Sequence, residues 1–384
     1  MIFSCLPGLS GVELEWEVPY KYCRGAGVKS EFIYYALGRP LAPLYSVAMR
    51  IREKMYARGL LKSYTLSAPV ISVGNLTMGG TGKTPMVQHL ARLLRNHGYR
   101  PAVVSRGYGG RAQGRVNLVS DGRQLLLDAV LAGDEPRFLA ETLPGVPVLT
   151  GLVRRLPAQK AVEMGADVLL LDDGFQHLQV VRHVNLVLFD ADRLAGNSRV
   201  FPGGELREPV AALRRATGFL LTGVNEENRE RAGKFADLLR ARFAEIPVAL
   251  AEYAPQTLVE AASDGSIESV AADGLADRRC FAFCGIARPE RFHQTLERQG
   301  LQLAGFHPLA DHQRYSSATL EALLSKARRA KADALITTEK DLVKLTGRMA
   351  EIAMPLYGLR MQVATEPHFD RSLLAAVKAW QPGR

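Results

Sequence analysis

The sequence predicts an α/β protein: a parallel sheet with helices on both faces, followed by a second, smaller α/β unit. Three observations predict it. Short apolar, β-branched runs recur along the chain and alternate with segments of helical spacing. Continuous apolar runs joined through helices mark a parallel sheet buried on both faces. Polar, glycine-containing clusters follow the ends of those runs, where ligands of open α/β sheets collect.

Taken in order, residues 1–30 lack helical or strand periodicity and read as an extension to which no function is assigned. Residues 31–64 are an amphipathic segment. Leu44, Val47, Ala48, Ile51 and Met55 share one helical face, while Arg50, Arg52, Lys54, Arg58 and Lys62 crowd the rest against Glu53 alone. This suits a helix lying on an anionic membrane surface. It equally suits an amphipathic helix packed on the core.

Residues 65–255 form the first unit. A strand over 69–73 and a helix over 86–97, with Val87, Leu90, Leu93 and Leu94 on one face, flank Gly74-Asn75-Leu76-Thr77-Met78-Gly79-Gly80-Thr81-Gly82-Lys83-Thr84-Pro85. Strand, glycine-rich loop, Gly-Lys-Thr and helix is the layout of a phosphate-binding loop. Glycines and the helix N-terminus turn backbone N–H groups toward one point. Lys83 brings a charge to the β- and γ-phosphates, and the Thr84 hydroxyl suits Mg²⁺. Thr77 stands where the general pattern has glycine.

Further strands are read over 100–105, 147–150, 167–171, 185–189 and 219–222, with a weak hairpin pattern in 111–130. Helices are read from Gly133 to 143, over 155–164 and over 226–243. Residues 256–384 form the second unit. Its first part, within 255–278, is loose and small-residue-rich; strands at 280–284, 301–306, 334–337 and near Leu356 then alternate with helices at 289–299, 317–330 and 371–380.

The chain has 384 residues, enough for two units, with 47% hydrophobic and 23% charged residues, a soluble globular balance. A net charge of +10 favours acidic partners. No RNP-type signature, zinc-finger spacing or Arg-rich tract is present, which argues against nucleic acid. The 4 cysteines form no CxxC pair, so free thiols in a reducing compartment are expected. Residues 1–18 carry no basic n-region, and Glu13, Glu15 and Glu17 follow soon after, which is against a signal peptide. No apolar run is long enough to predict a transmembrane helix.

Asp172 follows Val168-Leu169-Leu170-Leu171, the usual place for a Mg²⁺-linked carboxylate downstream of a phosphate loop, and Asp173 lies beside it. Gln176 and His177 share that edge. Asp134 and Glu135 open a helix; they fit dipole capping, or one accepting a proton while the other helps hold a metal. Arg106 and Tyr108, amid glycines, suit a sugar phosphate, as do adjacent Arg207 and Glu208.

These motifs together resemble the tetraacyldisaccharide 4′-kinases, the lipid A 4′-kinases of Gram-negative bacteria. The resemblance rests on the phosphate loop, then Ser105-Arg106-Gly107-Tyr108-Gly109, Gly133-Asp134-Glu135, Asp172-Asp173-Gly174-Phe175-Gln176-His177, Leu206-Arg207-Glu208-Pro209, Gly285-Ile286-Ala287, Asp311-His312 and Thr338-Glu339-Lys340-Asp341, in that order. It covers roughly residues 32–380, and Thr77 in place of glycine is part of the family pattern. It implies ATP and Mg²⁺ as cosubstrates and phosphorylation of a lipid A disaccharide precursor at the cytoplasmic face of the inner membrane. It implies two α/β/α domains joined by a flexible linker, with the active site between them. By position, residues Thr77, Met78, Gly79, Gly80, Thr81, Gly82, Lys83 and Thr84 would hold the nucleotide, and Thr84, Glu135 and Asp172 the metal. Asp134 would be the base, with His312 as its partner. Arg106, Tyr108, Asp173, Gln176, His177, Arg207 and Glu208 would form the headgroup site. Another phosphate-loop ATPase or kinase, or a membrane-associated nucleotide switch, is the alternative class.

Overall fold

The computed structural model describes residues 35–270, 275, 277–286, 288–311 and 313–380; the extension read over residues 1–30 lies outside them. After helix α1 (Ala42–Ala57) come β1 (Val70–Asn75), α2 (Lys83–Asn96), β2 (Pro101–Ser105) and β3 (Asn117–Ser120). Next are α3 (Asp134–Thr142), β4 (Val148–Thr150), α4 (Arg155–Glu163), β5 (Val168–Asp172), β6 (Val184–Asp190), β7 (Gly218–Thr222) and α5 (Arg229–Arg242). The chain continues through β8 (Val248–Ala261), β9 (Ile267–Val270), β10 (Cys280–Cys284), α6 (Pro289–Arg298), β11 (Leu303–Pro308) and α7 (Ser317–Arg329). It ends with β12 (Ala334–Thr338), α8 (Glu339–Val343), β13 (Leu356–Thr365) and α9 (Pro367–Lys378).

All these strands join one sheet in the order β11-β10-β12-β13-β8-β7-β6-β1-β5-β2-β4-β3, with β9 beside β8. From β8 to β4 the pairs are parallel, as they are from β11 to β13. The two parallel halves meet at one antiparallel seam, β8 against β13, with Tyr357 opposite Glu260 and Thr365 opposite Ala251.

Burial on both faces explains the continuous apolar runs. Along β5, Val168 and Leu170 face a core that includes Met86, Val87, Leu90 and Leu94 of α2. Leu169 and Leu171 face the opposite core, against Ala158 and Ala161 of α4. Alternation within one strand thus feeds two cores, each fully buried leucine contributing about 1.5–3 kcal/mol.

The region read as loose is ordered differently. Residues 248–261 form β8 and 267–270 form β9, so residue 255 lies inside a strand. Pro255 interrupts the apolar pattern there. The ladder accommodates it with a register shift between Arg360 and Met361, where Met361 pairs with Pro255.

The last helix returns to the first half. Leu373 and Val377 of α9 join the core of Ile71, Leu186 and Leu90. Asp370 pairs with His89 of α2 at 2.9 Å, and the Trp380 indole donates to His183 Nε2 at 2.8 Å.

No residue of α1 is buried. Its apolar row stays open, with Leu44 70%, Val47 49% and Ile51 52% exposed. The other side docks. The Tyr45 hydroxyl donates to the Arg207 carbonyl at 3.0 Å, and Arg52 approaches Glu208 at 3.6 Å.

Because α9 completes the first core, Leu373→Ala should lower the unfolding free energy by about 2–5 kcal/mol. An unchanged urea midpoint would show that α9 adds nothing to that core.

Candidate active site

The phosphate loop leaves β1 and enters α2. Its first half is pinned as a strand-like segment. Thr77 bridges Leu206, the Met78 amide donates to the Glu205 carbonyl at 2.8 Å, and the Arg207 amide donates to the Leu76 carbonyl at 2.8 Å. Thr77 therefore needs no positive φ, and threonine fits where other phosphate loops carry glycine. From beneath, buried Asn75 donates to the Thr77 carbonyl at 2.7 Å and the Gly79 carbonyl at 3.3 Å. Glycine is required at Gly82: its φ is +74°, and a Cβ there would fall on the Tyr253 hydroxyl from β8.

Among the described residues the amides of Gly79, Gly80 and Thr81 have no intramolecular acceptor, and the buried Thr81 hydroxyl has no partner. Such a cradle fits phosphate oxygens. Lys83, the first residue of α2, reaches Asn75 Oδ1 at 3.2 Å and Asp173 at 3.5 Å. Thr84 follows it, half-buried.

Asp172 and Asp173 sit at the end of β5, next to β1. Asp173 takes a left-handed φ of 51°. Burial alone would raise its pKa, but Lys83 and Arg207 outweigh it and hold the carboxyl below its ordinary range; Arg207 Nη1 lies 2.8 Å from Oδ2. Asp172 is nearly inaccessible. Its Oδ2 accepts a long bond from Ser105 at 3.4 Å, and its Oδ1 has no partner among the described residues. Burial first, then the carboxylates of Glu135 and Asp173, push its pKa up to about 7 against the pull of Lys83 and Arg154. An unpartnered oxygen in the field of two further carboxylates has the charge of a cation site, but among the described residues no three acidic, histidine or cysteine side chains group closely enough to hold a metal ion.

Asp134 and Glu135 form the first turn of α3, where acids also favour the helix dipole. Asp134 lines a cleft between α3 and α8. His312 lies outside the described residues. Arg106 is exposed, and Tyr108 is 86% exposed.

Gln176 and Glu208 face inward. Gln176 Nε2 donates to the Asn75 carbonyl at 2.9 Å, bracing the strand under the loop. Glu208 is buried and ion-paired with Arg215, whose guanidinium lies 4.7 Å over the Phe175 ring. His177 is half-buried with its Nε2 unpartnered among the described residues. Burial, followed by Arg154, Arg182, Arg52 and Arg106, lowers its pKa to about 3.

Several residues of the site were not singled out by sequence reading. Arg154, 5% exposed, donates to the Asp173 carbonyl at 2.6 Å. Its position after β4, at the ligand edge, was the available signal. Arg182 donates to the Phe175 carbonyl at 2.7 Å. Arg288 and Arg291 at the start of α6 reach across to β6: Arg288 pairs with Asp190 and Asp192 at 2.7 Å each, and Arg291 pairs with Asp192. Nothing in sequence spacing signals these pairs or the contact of Tyr253 with the loop. The Thr338-Glu339-Lys340-Asp341 run is mainly structural. Glu339 pairs with Arg360 at 2.6 Å, and buried Asp341 accepts from the Gly285 amide at 2.9 Å.

A carboxyl whose pKa is about 7 folded and near 3.8 ordinarily binds more proton in the folded state, so its contribution to stability falls as pH rises from about 4 to 7. His177 acts oppositely, since its folded pKa of about 3 lies below the ordinary 6.5. Asp172→Asn removes only the first effect. In chelator and without nucleotide, the variant's stability advantage over wild type should widen from pH 4 to 7 in urea titrations; a constant difference would refute the assignment.

With this geometry in view, the comparisons are specific. A family model described as "Tetraacyldisaccharide-1-P 4'-kinase" matches residues 34–378. A tetraacyldisaccharide 4'-kinase of Desulfotalea psychrophila is 45% identical over 343 residues, covering 89% of this chain and 96% of the relative. That of Syntrophus aciditrophicus is 43% identical over 347 residues, covering 87% and 91%. Among solved structures, the "apo" form of LpxK from Aquifex aeolicus in complex with ATP matches with a TM-score of 0.72 and 30% identity, over 91% of this chain and 99% of that one. The chain therefore belongs to the tetraacyldisaccharide-1-P 4'-kinase family.

Proposed function

We propose that this cleft performs the family's reaction: transfer of the γ-phosphoryl group of ATP to the 4′-hydroxyl of a tetraacylated glucosamine disaccharide 1-phosphate, giving lipid IV-A in lipid A synthesis. The observation that carries the reading is the meeting, at the ends of β1 and β5, of an open phosphate cradle with a buried acidic pair whose charge is only partly neutralised.

The cradle amides and Lys83 hold the β- and γ-phosphates. Thr84, Glu135 and Asp172 are the residues that would hold Mg²⁺, which when bound offsets charge on the phosphate oxygens. Asp134 takes the proton of the 4′-hydroxyl as that oxygen bonds the γ-phosphorus and the bond to the ADP oxygen breaks. His312 is its proposed partner. Arg106, Tyr108, His177 and Arg207 provide the headgroup surface. Asp173, Gln176 and Glu208 act behind it: Asp173 fixes Arg207, Gln176 braces Asn75, and Glu208 fixes Arg215 and Arg52. The two working units of this reading are 65–255 and 256–384, joined through one sheet at the ladder of β8 and β13, with α9 packed back on the first.

Among the described residues no helix is long and apolar enough to cross a membrane. The exposed row Leu44, Val47 and Ile51, together with exposed Arg50, Lys54 and Arg58, supports a peripheral seat of α1 on the anionic inner membrane, on its cytoplasmic face. The acyl chains then stay in the bilayer while the headgroup enters the site.

Labelled γ-phosphate should appear in a detergent-dispersed lipid A precursor with the wild-type chain. Lys83→Ala should cut that transfer by about 10²–10³-fold or more without loss of fold. Release of label to water alone, or wild-type transfer by the variant, would defeat the reading.

Arg52 holds Glu208 and is left in place in the membrane test. Replacing Arg50, Lys54 and Arg58 by Glu removes about 1 kcal/mol of attraction per basic residue, so binding to anionic vesicles should fall at least about 100-fold. Undiminished co-sedimentation at moderate salt would rule out this seat.

A further inference from the structure

The Thr338-Glu339-Lys340-Asp341 run leaves one side chain unexplained. Thr338 caps α8, accepting from the Asp341 amide at 3.1 Å and donating to Asp341 Oδ2 at 2.8 Å. Glu339 is held by Arg360, and Asp341 by the Gly285 amide and by Lys344 at 3.2 Å. Lys340, between these two fixed acids, is half-buried. Among the described residues it has no hydrogen-bond or ion-pair partner. A half-buried ammonium without a counter-charge of its own gains from an anion that enters beside it.

Lys340 lines a cleft of about 150 Å³ between the two halves of the molecule. Asp128, Asp134, Arg137 and Glu141 face it from the first half, and Lys344 and Thr346 from the second. The other charges there are engaged. Arg137 holds Glu141 and donates to the Leu127 carbonyl at 2.8 Å, Asp128 caps the turn at Leu131, and Lys344 pairs with Asp341. Among the described residues the cleft thus presents one uncommitted cation, on the same lining as the carboxylate assigned to the acceptor hydroxyl.

We propose that Lys340 binds a phosphate group in this cleft, namely the γ-phosphoryl group as it passes to the acceptor. This rests on the reading of Asp134 as the base, because a group that meets both Asp134 and Lys340 lies between hydroxyl and phosphate. Lys340 then supplies, from the second half, a point charge to the equatorial oxygens of the transferring group. The nucleotide is thereby engaged by both halves of the chain, and transfer depends on their being seated together. The acceptor's own 1-phosphate offers the same chemistry, and the test separates the two sources.

The full chain is compared with Lys340→Ala, Lys340→Arg and Asp134→Ala. Steady-state rates with ATP and the disaccharide lipid are read beside calorimetric affinities for ATP and ADP and the unfolding midpoint. Lys340→Ala should lower kcat about 10²–10³-fold, weaken ATP but not ADP, and leave the midpoint unchanged, with Lys340→Arg recovering part of the loss. A raised KM for the lipid with ATP and ADP affinities intact would assign Lys340 to the acceptor's 1-phosphate instead of the γ-phosphoryl group and overturn the proposal. Unchanged kinetics and affinities, or a fallen midpoint with ATP and ADP weakened equally, overturn the proposal. The ATP-to-ADP ratio does not depend on the base: full activity of Asp134→Ala beside a selective ATP defect in Lys340→Ala would reject the base and keep the phosphate site.

Discussion

Two adjacent carboxylates at the end of a buried strand cannot both stay ionised unless cations surround them, and the site is arranged about that constraint. The left-handed backbone at Asp173 separates the pair. Asp173 faces Lys83 and Arg207, while Asp172 remains with Ser105 and the field of Glu135. The cations come from three different loops: Lys83 after β1, Arg154 after β4, and Arg207 from the segment that bridges Thr77. Charge neutralisation therefore also draws these loops to one point, and among the described residues it leaves Asp172 Oδ1 buried without a partner.

The phosphate loop is held from beneath by neutral groups. Asn75, Thr222 and the Tyr253 hydroxyl crowd its underside, with Thr222 Oγ1 donating to the Thr81 carbonyl at 2.9 Å. Asn75 and Thr222 consume loop carbonyls and leave the amides for the ligand, the polarity that an anion site requires, while the Tyr253 hydroxyl has no hydrogen-bond partner among the described residues. Tyr253 comes from β8, the seam strand, so the loop's glycine touches the element that joins the two halves. The pairs of Arg288 and Arg291 with Asp190 and Asp192 join them again at the end of β6.

Helix α1 couples the outer surface to the same centre. Its exposed row faces away from the protein, while Tyr45, Arg52 and Glu53 hold the Arg207 carbonyl, Glu208 and Arg215. A helix without a buried residue is retained through polar contacts to the site loops. Where it lies thus bears directly on where Arg207 lies.

The sequence alone determined the parts whose physics is local. Apolar runs of β5 and β6, the α2 periodicity and the Gly-Lys-Thr turn follow from side-chain spacing and backbone freedom, and their positions agree with the structure to within a few residues. The clustering of motifs at strand ends was legible for the same reason, since parallel strands share one carboxyl edge. Tertiary structure decided the rest. Pro255 hid β8 because its disruption is absorbed by a bulge against a strand about a hundred residues away. That α9 completes the first core, that Gln176 and Glu208 turn inward, and that Arg154 supports Asp173 depend on partners distant in the chain. Spacing fixes which side chains share a face of one element; only packing decides what that face meets.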